Sequence, residues 1–72
     1  MDFKQTYFSI WQDAWNLHKK YAFIDKDDSN SWVNLVKESG NLQDKYSMLP
    51  ESEFANKMIL NVISEIENRT KR

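Results

Sequence analysis

The chain has 72 residues, no cysteine, a single histidine (His18) and nearly balanced charge, with a formal net charge of −1. That length makes one small domain with a modest buried fraction. The composition excludes disulfide staples, a structural zinc site of the His and Cys type and a long-range field that would gather nucleic acid or anionic lipid.

Helix packing is left to stabilise such a chain, and aromatic side chains, each covering about 150 to 250 Å², compensate for a short sequence. Seven of the ten aromatic residues fall in the first 23 positions. At about 100° per residue, Phe3, Tyr7, Ile10, Trp11, Ala14, Leu17, His18 and Tyr21 form one face, with Phe8 and Trp15 along its edge. Gln5, Thr6, Ser9, Gln12, Asp13, Asn16, Lys19 and Lys20 fall on the opposite, polar side. This pattern predicts a first helix over 2–21, capped by Asp2 and closed by Lys19 and Lys20, where the negative end of the helix dipole favours cations. Trp11, Tyr7 and Tyr21 are expected in the core.

Between Phe23 and Ser31 the period lapses, and Asp25, Asp27, Asp28, Ser29 and Asn30 supply turn and capping side chains. Asp28 or Ser29 is expected to cap a second helix over 29–46, whose apolar side runs through Trp32, Leu35, Val36, Ser39, Leu42, Gln43 and Tyr46. Gly40 interrupts this helix at about 1 kcal/mol relative to alanine. The unbroken phase on either side predicts that the helix continues, with Ser39 and Gly40 admitting a tryptophan of the first helix close to the backbone.

Pro50 is expected in the first turn of a third helix over 51–68, where its missing N–H is harmless. Phe54, Ala55, Met58, Ile59, Val62, Ile63 and Ile66 make its apolar face, and Lys57, Asn61, Ser64, Glu67 and Asn68 point away. Leu60 is the one large apolar residue on the polar side. The fold class that follows is all-α, a single domain over 1–72 built as an antiparallel three-helix bundle.

The longest uninterrupted apolar run, 58–60, is far below the roughly 20 residues that span a bilayer, and no signal peptide is visible. A cytoplasmic protein without a membrane partner is expected.

Aligned to a calcium-binding EF-hand, Asp25, Asp27, Ser29 and Ser31 occupy ligand positions. The match then fails, because Asn30 replaces the required glycine and Val36 replaces the closing glutamate, with Glu38 two residues too late. His18 in the last turn of a helix packs its ring and meets the dipole, and no spacing nominates a nucleophile or second acid–base group beside it. Trp11, Trp15 and Trp32 have aliphatic neighbours rather than the basic groove of a base-stacking platform. The terminal Arg69, Lys71 and Arg72 read as a solvated end. No catalytic, cofactor or metal residue is assigned, and no enzyme is expected.

The run Trp11, Trp15, Lys19-Lys20-Tyr21, Trp32, Leu35-Val36 and Glu38, Lys45-Tyr46, Phe54-Ala55 and the stretch from Met58 to Glu67 resembles uncharacterised short helical proteins of anaerobic Gram-positive bacteria and their mobile elements. The resemblance spans most of the chain and implies no particular activity. The leading expectation is a non-enzymatic protein–protein interaction module, acting as a homodimer or on an unidentified protein partner, with Phe8, Trp15 and Leu60 as its interaction residues. The alternative is a helix-turn-helix-like DNA-binding regulator. Its recognition helix offers only Asn56, Lys57 and Asn61 beside Glu65 and Glu67, which makes a nucleic-acid partner the weaker expectation.

Overall fold

The computed structural model describes residues 3–70. They form α1 (Phe3–Tyr21), α2 (Ser29–Tyr46) and α3 (Ser52–Thr70), each packed against both others. The expected Asp2 cap and the tail residues Lys71 and Arg72 lie outside the described residues. Consecutive helices are antiparallel: Ser9 pairs with Tyr46 and Lys20 with Glu38 between α1 and α2, and Tyr46 clusters with Ala55 while Leu35 clusters with Ile66 between α2 and α3. The first and third helices therefore run side by side in the same direction.

Local chemistry fixes the connections. Asp25 closes a turn by accepting the Asp27 amide at 3.0 Å, and its carbonyl accepts the Trp32 indole N–H at 3.1 Å, pinning the start of α2 to the loop. Asp28 is the N-cap: its carboxylate accepts the Ser31 amide at 3.2 Å and the Ser31 hydroxyl at 2.7 Å. The Ser31 hydroxyl in turn holds the Asp28 carboxyl below the ordinary aspartate range. The loop carboxylates at 25 and 28 are thus engaged within the chain.

Pro50 is not in the first turn of α3. The Ser52 amide donates to the Leu49 carbonyl at 3.1 Å, and the Glu51 carbonyl accepts the first helical bond from Ala55 at 3.0 Å. Proline sits at the second position of this turn, where its fixed φ is equally favourable. The turn seats partly buried Leu49 against the core, and the helix begins at Ser52, one residue later than expected.

The larger core cluster joins Ala14, Leu17 and Tyr21 of α1 to Leu35 of α2 and to Ile59, Val62 and Ile66 of α3. A smaller one joins Ile10, Tyr46 and Ala55. The face expected of α3 is the one that is buried. That of α1 is displaced: Thr6, expected on the wet side, is buried with 2% exposure, while Phe3 and Trp11, expected inside, are exposed. The core-facing centre of α1 lies about 40° from the centre of the expected eight-residue face at 100° per residue.

A polar link explains the rotation. The Tyr46 hydroxyl donates to the Asp13 carboxylate at 2.5 Å, and Lys45 donates to the same oxygen at 2.8 Å. A carboxylate only accepts, so the Tyr46 proton is committed and the Ser9 hydroxyl is the donor in its 2.8 Å bond to Tyr46. Ser9 and Asp13, placed on the solvated side by phase alone, therefore face α2 and draw α1 toward it. Burial first, and then the bond to Asp13, push the Tyr46 hydroxyl pKa up.

In α2 the helix continues through Gly40 as expected, without a positive φ. No tryptophan approaches it, because a Cβ built there would meet nothing within 4 Å. Val36, expected on the apolar face, is exposed.

Gly40→Ala is expected to stabilise the protein by about 0.5 to 1 kcal/mol, because it adds helix propensity without a clash. This is checked as a higher midpoint of thermal unfolding followed by far-UV circular dichroism. Tyr46→Phe removes both hydroxyl bonds and is expected to cost about 1 to 2 kcal/mol in urea denaturation, with the helical spectrum retained.

Candidate functional site

Once α1 is rotated toward α2, its aromatic residues other than the buried Tyr21 are left on the outer side and against α3. Phe8, Trp11 and Trp15 are 64%, 56% and 60% exposed, at spacings of three and four residues that place them in one strip. Phe8 and Trp15 thus lie outside the core, as their edge position implies. Trp11 joins them there, a correction to its expected burial.

The physical reason is width. From Leu17 to Phe8 the apolar positions of α1 span about half of the helix circumference, whereas a core-facing stripe is about 100° wide. The small residues Ala14 and Thr6 let the other helices approach closely. The rings are left at the margin.

They are nevertheless held. Phe54 of α3 meets Tyr7 edge-on with ring centroids 4.9 Å apart, and meets Trp11 at 6.1 Å. Phe3 extends the row, 4.7 Å from Tyr7. Trp15 packs against the half-buried His18 ring at 6.3 Å. Between α1 and α3 these contacts leave a shallow groove of about 140 Å³, lined by Trp11, Ala14, Trp15 and His18 on one side and Met58 and Val62 on the other. His18 therefore meets an apolar wall, and the groove brings it no hydroxyl, carboxylate or second imidazole.

Leu60 is exposed but belongs elsewhere. It is two residues from Met58 and two from Val62, both of which line the groove, so it points away from them. The structure brings Phe8 and Trp15 together and leaves Leu60 apart.

A larger cleft, of about 840 Å³, opens between α1 and α2 near the first loop. Lys20 binds Glu38 across it at 2.6 Å, and the bond holds the Glu38 carboxyl below the ordinary glutamate range, while Lys19 and Lys37 on its wall have no ion-pair partner among the described residues. Among the described residues no group of three or more His, Asp or Glu side chains is placed to hold a metal ion. No helix of the described residues is long and apolar enough to cross a membrane. In comparisons with protein-family models, curated proteins and solved structures, the chain matches none.

If the strip is surface and not core, Phe8→Ala is expected to cost about 1 kcal/mol or less, against the roughly 3 to 5 kcal/mol of a buried phenylalanine. Urea denaturation of the variant beside the native chain measures the difference.

Proposed function

We propose that this protein is a non-enzymatic interaction module whose docking surface is the α1/α3 face built on Phe8, Trp11 and Trp15. The observation that carries the reading is the exposure of three large aromatic side chains in one strip. Together they present on the order of 400 Å² of largely apolar surface, within the roughly 300 to 600 Å² of the largest patch on a typical monomer, which is often a functional one. A standard interface covers about 800 Å² on each partner, with an apolar centre and a polar rim. The strip has the size and composition of such a centre.

Rigidity supports the same reading. Trp11 rests on Phe54 and Trp15 on His18, so their rings are already positioned and little side-chain entropy is lost on docking. Tryptophans held in this way are characteristic binding hot spots.

Site-specific photocrosslinking in the native host tests the assignment. A crosslinking amino acid at position 8 or 15 is expected to capture one discrete protein, and the same group at exposed Asn34 is expected not to. Equal, diffuse capture from both faces would sink the proposal.

A further inference from the structure

The aromatic face carries charges of both signs, placed as on a surface that pairs with itself. On α1, Lys4, Phe8, Trp11 and Trp15 follow at intervals of four, three and four residues, and on α3 so do Phe54, Met58, Asn61 and Glu65. The two helices run in register, because Ala14, Leu17 and Tyr21 share a core cluster with Ile59, Val62 and Ile66 at the same spacings. Glu65 therefore stands level with Lys20, and Lys4 lies at the other end of the face, about 24 Å away along the axis at 1.5 Å per residue. Both Lys4 and Glu65 are exposed, and neither has an ion-pair partner among the described residues. Of the other charges nearby, Lys19 lines the cleft between α1 and α2, and Lys57 holds Glu53 at 3.1 Å. Glu51, near the level of Lys4, is half-buried in the turn before α3.

We infer that the occupant of this face is a second copy of the chain, packed antiparallel across a two-fold axis that runs at right angles to α1 beside Trp11. This rests on the reading of the α1/α3 face as a docking surface. Phe8 and Trp15 are equally far from that axis, so it lays Phe8 of each copy on Trp15 of its partner. The two Trp11 side chains meet at the centre, where binding hot spots concentrate. The same axis carries Lys4 of one copy to the level of Lys19 in the other, one residue short of Glu65. An ion pair from Lys4 to Glu65 of the partner then closes each end of the interface.

Size agrees with this pairing. A standard interface covers about 800 Å² on each partner, of which the aromatic strip supplies on the order of 400 Å² as an apolar centre, with the α3 row from Phe54 to Glu65 alongside. A chain of 72 residues without cysteine is of the class that gains stability by association. A partner of one dominant charge is not selected, because the face carries both signs. Pairing with the axis along the helices would instead set Lys4 against Glu51 and part the tryptophans of the two copies.

Sedimentation equilibrium of the full chain at low salt tests the inference. The mass is expected to rise with concentration from 8.7 kDa toward twice that value. Lys4→Glu and Glu65→Lys are each expected to weaken the dimer about tenfold, by setting like charges together at both ends. The double variant Lys4→Glu/Glu65→Lys is expected to bring the affinity back to within about twofold. Within one chain the two side chains are too far apart to touch, so rescue reports a contact between copies. Lys37→Glu, in the α1/α2 cleft, controls for net charge and is expected to leave the dimer unchanged. A dimer indifferent to these substitutions, or not restored by the pair, would overturn the inference. So would a chain that stays monomeric while position 15 crosslinks to a different protein, a result that leaves the docking surface in place. A monomer at every concentration, with no discrete crosslink from position 15, would remove both readings.

Discussion

The rotation of α1 about its own axis is the setting on which the rest of the molecule depends. It is fixed by a phenol: the Tyr46 hydroxyl, buried between Ser9 and Asp13, ties α2 to the polar flank of α1. A neutral donor meeting a carboxylate in a partly buried place is a strong, directional contact, and Lys45 on the same oxygen balances the charge. Apolar packing alone is non-directional and would accept several rotations of a helix that carries apolar residues over half its circumference. The hydrogen bonds select one. Thr6, Ile10, Ala14 and Leu17 then face inward, and the tryptophans face outward.

Size makes that selection economical. A bundle of three short helices has a narrow interior, and its core-facing positions on α1 include a threonine and an alanine. Indoles in those positions would hold the helices apart and open voids beside them, each void carrying a cost in lost contacts. At the margin Trp11 rests on Phe54 and Trp15 on His18 without wedging the bundle open. Phe8, Trp11 and Trp15 are thus neither wholly core nor wholly surface, and that intermediate position leaves an aromatic strip on the outside of the bundle.

Much of the fold was legible in the sequence because periodicity is a local property. All three helices, the Asp28 cap, continuation through Gly40 and the buried face of α3 follow from spacing and side-chain chemistry within a few residues. What was not legible depends on partners far along the chain. Tyr46 lies more than thirty residues from Ser9 and Asp13, and no window centred on α1 reports that those two polar residues have an appointment with α2. Phase gives the angles between side chains on one helix, but not which sector the neighbouring helices occupy, so the expected face of α1 lies about 40° from the buried one. The displacement of Pro50 has a similar origin, since the turn must satisfy Leu49 packing before the helix begins. Of the candidate site, Phe8 and Trp15 were readable as the edge of a stripe. Trp11 was not, although a stripe twice the width that a three-helix core can cover was itself a sign that some of its rings must remain outside.

The groove is built jointly by the first and last helices, with Trp11 and Trp15 contributed by one and Met58 and Val62 by the other. A ligand lying across it is therefore also a brace between the two ends of the fold. By linkage, anything that binds the folded chain and not the unfolded one raises folding stability, by about 2.7 kcal/mol when present at a hundred times its dissociation constant. For a domain this small, whose intrinsic stability is a few kcal/mol, that increment is a large fraction of the whole. Abundance in the cell would then follow occupancy, because the unoccupied protein opens more often to proteolysis.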